Sequence, residues 1–125
     1  MAKYPRTEGF GLEGVEVTEA GYVFVLRTPA KKFSIQNTGG ENVVVIINGI
    51  IQGADSNKDI PTPESYNTQY HTMTADNARQ CGTVVQGMQS QLFEGVMFGD
   101  SQIRTVCLIT EGSKTTTVRG GVVSF

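Results

Sequence analysis

Apolar and polar residues alternate along much of this chain, the period of a β-strand whose side chains point to opposite faces. Tyr22 to Thr28 is a clear case: Tyr22, Phe24 and Leu26 fall on one face and Val23, Val25 and Arg27 on the other. Pro29 is expected to end that strand, because proline cannot donate to a ladder. The run from Phe33 to Gln52 reads as a central β-hairpin, with Asn37-Thr38-Gly39-Gly40 as its turn. Val43 to Ile47 are consecutive β-branched residues, apolar on both faces. Such a strand needs two covers, and a second chain is one source of the second. Asn48-Gly49 predicts either a tight turn or a bend.

Weaker signals flank this centre. Val15 and Val17 alternate with Glu16 and Thr18, which predicts a short edge strand before a turn at Glu19-Ala20-Gly21. Residues 53–64 read as a loop, kept extended by Pro61 and Pro63. Tyr66 to Met73 alternates as a strand. Thr74 is positioned to cap a single helical turn through Arg79. Thr83 to Gln86 predicts a short strand. Met88, Leu92, Phe93, Val96 and Met97 fit a helix moderately, but Gly87 and Gly95 favour strand. Ser101 to Thr110 predicts the last long strand, with Ile103, Cys107 and Ile109 facing one way and Val106 and Leu108 the other. Glu111-Gly112-Ser113-Lys114 then reads as a hairpin turn before Thr115 to Arg119, and an apolar end from Val122 to Phe125 is expected to dock. Residues 1–14 lack periodicity and are expected to form an extended arm, followed by one β domain over 15–125. The expected fold is all-β: an antiparallel β-sandwich or jelly-roll-like barrel with at most one or two short helical turns.

Composition narrows the function classes. With 125 residues, a net charge of -2 and a pI near 5.3, the chain lacks the basic face of a nucleic-acid binder or an electrostatic membrane binder. Charged residues make up only 18%, below the usual ~25%. No charged residue occurs from Gln80 through Phe93, which is unusual for a fully solvated surface. The opening MAKYPRTEGF has no apolar core of a secretory leader, so synthesis in a cytoplasm is expected. No apolar run reaches the ~18 residues that span a bilayer. Cys81 and Cys107 are too few for a disulfide framework and are expected to be buried thiols.

Candidate chemistry is sparse. Gly9-Phe10-Gly11-Leu12-Glu13-Gly14 has the spacing of a dinucleotide loop, without the preceding strand and following helix that loop needs. Asp55-Ser56-Asn57-Lys58-Asp59 resembles the start of a calcium loop, but Ile60 and Tyr66 stand where glycine and a bidentate glutamate belong. A polar loop tip is the plainer reading. His71 is the sole histidine, so a histidine-rich metal centre is not expected, and nothing around it, Cys81 or Ser90 resembles a nucleophile elbow. A small β-barrel enzyme would need a clustered acid pair or triad, and no cofactor is expected. Tyr66, Tyr70 and His71 would suit a sugar-binding face or a protein interface, and Gln89, Gln91 and Phe93 fall in the uncharged stretch expected to form a contact.

The segment FSIQNTGGENVVVIING, Phe33 to Gly49, resembles small β-modules of tailed-phage virion proteins. These carry an aromatic-x-hydrophobic-x-Asn hairpin followed by a β-branched strand ending near Asn-Gly. The resemblance implies a capsid decoration (cement) protein: a non-enzymatic homo-oligomer, a trimer favoured, clamped on the major capsid protein in the virion. The alternative is a carbohydrate- or receptor-binding β-sandwich of a phage tail.

Overall fold

The computed structural model describes residues 11–57, 71–99 and 102–125, with only the backbone described at His71. The strands are β1 (Gly11–Val17), β2 (Tyr22–Ala30), β3 (Lys32–Asn37), β4 (Val43–Ile47), β5 (Gly49–Ile51), β6 (Asp55–Ser56) and β7 (His71–Met73). Helix α1 (Ala75–Cys81) then precedes β8 (Thr83–Val85), β9 (Ser90–Glu94), a 3-10 turn (Gly95–Phe98), β10 (Ile103–Thr110) and β11 (Thr116–Ser124). One sheet has the order β1-β11-β3-β9 and the other β6-β2-β10-β4-β8. Apart from the parallel β6, neighbours in both are antiparallel.

Along β1, β2, β3, β4, β8, β9, β10 and β11, every step except β4 to β8 passes from one sheet to the other. That order is a jelly roll, the double-sheet solution in which sequence neighbours face each other across the core instead of pairing. The expected sandwich is therefore present, but two of its expected hairpins are not. β3 and β4 lie in different sheets, because the intervening turn is docked on β11: Thr38 and Gly39 both donate their backbone N–H to the Thr117 carbonyl, at 2.9 and 3.2 Å. The Glu111–Lys114 turn likewise carries the chain from β10 to the other sheet.

The core between the sheets is built from alternate residues, among them Leu12, Val17, Phe24, Phe33, Ile35, Val43, Val45, Leu108 and Val118. Two strands depart from simple alternation. β2 continues through Pro29 to Ala30, since its pairing with β10 jumps from Val25–Thr105 to Ala30–Ile103. Pro29 sits in the looped-out stretch, where its missing N–H breaks no ladder bond. The same irregularity moves Ile103 to the inter-sheet core with Val106 and Leu108, not to the Cys107–Ile109 face expected from parity. β1 begins at Gly11, within the expected arm, and residues 1–10 lie outside the described residues.

The second face of β4 corrects the central expectation from the sequence. Val44 and Ile46, with Val23, Val25, Cys107 and Ile109, form a second buried cluster closed by Ile51, Ala78 and Met73. Its cover comes from the chain's own excursion between β4 and β8, where β5 and β7 pair in parallel and α1 lies alongside. Thr74 caps α1 by accepting from the Asn77 N–H at 3.3 Å, as its position in the sequence predicts. Arg79 anchors the helix by donating to the Thr110 and Glu19 carbonyls. No second chain is needed to hide these strands.

Candidate interaction surface

The segment from β8 through the 3-10 turn runs along the side of the sandwich where the edge strands of both sheets meet. β8 ends one sheet and β9 the other. Gln86 to Gln89 form the tight turn between them, closed by the Gln89 N–H on the Gln86 carbonyl at 3.1 Å. Met88 takes the left-handed conformation there, φ 64°, which costs a residue with a Cβ about 1–2 kcal/mol. Its side chain nonetheless projects into solvent, 73% exposed.

Of the eight large apolar residues exposed among the described residues, six fall in this segment: Met88, Leu92, Val96, Met97 and Phe98, and Val84, which points from the outer face of β8 beside Val44, away from Leu92. Leu92 stands on the outer face of β9, opposite Ser34 of β3. Val96 and Met97 protrude from the 3-10 turn, while Phe98 folds back to stack on Phe93 with ring centroids 6.0 Å apart. Phe98 also borders a shallow groove of about 200 Å³ with Ile46, Ile47, Cys81 and Thr83. That volume is below the ~300 Å³ of ordinary small-molecule pockets. The nearest ion pair, Lys32 with Glu94 at 3.6 Å, closes the uncharged stretch at its far end.

The residues singled out from the sequence divide as follows. Gln89 is exposed in the β8–β9 turn and Gln91 is half-buried on β9. Phe93 is 1% exposed and belongs to the core, because β9 turns it inward opposite Phe33; it offers nothing to a partner. Tyr66 and Tyr70 lie outside the described residues. The backbone of His71 pairs with Gly49 in the β5–β7 ribbon. Asn57, a ligand in the calcium-loop reading, is spent elsewhere: its carboxamide exchanges hydrogen bonds with the Val25 backbone at 2.7 and 3.0 Å, extending the edge of β2. Lys58 and Asp59 are outside the described residues. Gly11 and Gly14 of the dinucleotide-like spacing lie on strand β1, with Gly14 at a bulge. Among the described residues no group of three or more His, Cys, Asp and Glu is arranged to hold a metal ion, and no helix is long and apolar enough to cross a membrane.

Met88, Leu92, Val96 and Met97 as an exposed group escaped the sequence reading. For Met88 and Leu92 the signal was the missing charge between Gln80 and Phe93, which marks the stretch but not which side chains face out; Val96 and Met97 lie beyond it, past Glu94. Comparison with protein-family models, curated proteins and solved structures finds no match to this chain.

Proposed function

We propose that this protein is a non-enzymatic structural component of a phage particle, of the capsid decoration type, acting as a homo-oligomer on the major capsid protein. The observation that carries this is the group of exposed apolar side chains Met88, Leu92, Val96 and Met97, in a segment whose one charge, Glu94, is paired with Lys32. Large exposed apolar residues gathered on one side mark an interaction site more often than scattered ones do. β4 contributes no surface to such a contact, because the fold covers both of its faces. The jelly roll supports it at the level of architecture, since viral capsid domains use this fold, as do lectins and cupins. The resemblance of Phe33–Gly49 to virion β-modules supplies the particle, the shell partner and the preference for a trimer.

The test is co-sedimentation with shells assembled from the major capsid protein encoded in the same genome. Saturable binding at a fixed ratio, with a rise in shell melting temperature, is the expected result. Retention on a glycan array with no shell binding would move the protein to the receptor-binding class. Gln89→Lys places a charge at the rim of the apolar side without touching the core. It is expected to leave the unfolding midpoint unchanged and to weaken shell binding or self-association at least several-fold.

A further inference from the structure

The outer edge of β9 is a strand edge left open in a way that suits a second copy of itself. Two bonds bracket the β3–β9 ladder: the Asn37 N–H donates to the Gln89 carbonyl at 2.8 Å, and the Gly95 N–H to the Lys31 carbonyl at 3.0 Å. In an antiparallel ladder alternate residues exchange both bonds. Gln91 and Phe93 therefore turn their peptide groups toward β3, and Ser90, Leu92 and Glu94 turn theirs outward. Among the described residues no strand pairs with that edge. Open edges are normally blunted by a bulge, a proline or a charge. β1, at the opposite end of the same sheet, has such a guard: a bulge at Gly14, flanked by Glu13 and Glu16. β9 has no bulge or proline, and its one charge, Glu94, is engaged by Lys32.

We propose that two copies join through antiparallel β9–β9 pairing centred on Leu92, so that their four-stranded sheets become one across a two-fold axis. This deepens the homo-oligomer reading above and rests on it. In this register Leu92 meets Leu92, and each Ser90 meets the Glu94 of the other copy. All three outward-turned residues exchange bonds, and no like charges are opposed. Moving the centre to Gln91 or Phe93 leaves one of the three beyond the partner strand or sets Glu94 against Leu92. Moving it by half a step aims outward peptide groups at inward ones. The same register brings Met88, four residues before the centre, toward Val96, four residues after it in the other copy, covering two of the most exposed apolar side chains. A two-fold contact uses the same patch on both subunits and closes on itself. The guarded β1 edge then stops further addition. The symmetry inferred here differs from the trimer that the virion resemblance favours.

Light scattering on the intact chain is expected to give the mass of two chains. Leu92→Lys and Leu92→Pro are both expected to give one chain with an unchanged circular dichroism spectrum, since the Leu92 N–H turns away from β3. In a Cys81→Ser background, Leu92→Cys places two cysteines at paired positions, with Cα atoms about 5.5 Å apart, within disulfide reach. Mild oxidation should cross-link it into a dimer. Ser90→Cys alone should stay uncross-linked, and a mixture of Ser90→Cys with Glu94→Cys should form the heterodimer. A trimeric or monomeric mass, or a dimer that survives both Leu92 variants, overturns the pairing. Cross-linking of Ser90→Cys alone overturns the register. None of these outcomes touches shell binding, which co-sedimentation reads separately.

Discussion

Asn48 is fully buried and sits in the left-handed region at φ 56°. Its carboxamide oxygen accepts from the N–H groups of Arg104 and Thr105, and its amide nitrogen donates to the Gln102 carbonyl at 2.8 Å. That one side chain holds the irregularity in β10 that turns Ile103 inward. Asn48→Ala leaves two backbone donors without their acceptor, at about 1–3 kcal/mol each when buried, so a loss of about 3 kcal/mol is expected in urea unfolding. Asn37 acts similarly, donating to the Glu41 and Val85 carbonyls and accepting from the Thr116 hydroxyl, which ties the two sheets together. Both asparagines read as turn residues in the sequence. Apart from Glu41, their side-chain partners lie tens of positions away, so local spacing carried no sign of the clamps. Met88 is the converse, a strained residue whose side chain the fold does not bury. Met88→Gly should leave stability within about 1 kcal/mol, because relief of the left-handed strain and glycine's added chain entropy oppose each other. Met88→Val should lower it by about 1–2 kcal/mol, as a β-branched residue fits that conformation worse. Parallel thermal melts of the two variants check both.

Strand existence was largely legible because the period of two survives even where pairing partners are unknown. Tyr22 onward, Val43–Ile47 and the last long strand all stand where alternation puts them. Which side chain faced which layer was legible only until an irregularity reset the parity, as at Ile103. The short helix was visible from Thr74 and its polar first turn, but its duty was not. α1 is the lid on the outer face of the β2-β10-β4 layer, and Ala78 is its point of closest packing. A longer or charged side chain there has no room. Ala78→Glu is expected to cost at least about 3 kcal/mol and to let the variant bind a hydrophobic dye, as the second cluster opens. An unchanged midpoint without dye binding would show that α1 does not close that cluster.

Across the whole molecule the two thiols lie in different environments. Cys107 is fully buried beneath the β5–β7 ribbon with its Sγ on the Gly49 carbonyl, whereas Cys81 is exposed, contrary to the expectation that both are buried. One thiol per chain should therefore react rapidly with Ellman's reagent, and two after denaturation. Burial pushes the Cys107 thiol well above its ordinary range, outweighing a backbone hydrogen bond near Ile51 that lowers it. A raised folded-state value means the folded chain keeps a proton that the unfolded chain sheds. The stabilisation is complete below the unfolded value, near pH 8.5, and falls by up to about 1.4 kcal/mol per pH unit above it. Urea midpoints should decline above that pH in the native chain, and this component should vanish in Cys107→Ala. The exposed apolar group is also a property of the whole, assembled from the β8–β9 turn, β9 and the 3-10 turn beyond it.

From residue order alone came the β class, most strand positions, the capped helical turn, the weak charge and the uncharged stretch that lines the exposed side. These follow from local rules: alternation, turn chemistry and composition act between residues close in the chain. The jelly-roll order, the identity of β4's second cover and the division of Gln80–Phe93 into buried Phe93 and exposed Met88 and Leu92 came from folding. A glycine- and asparagine-rich turn permits a hairpin and a crossing between sheets equally. Only the long-range bonds of Asn37, Asn48 and the Thr38–Gly39 backbone choose between them.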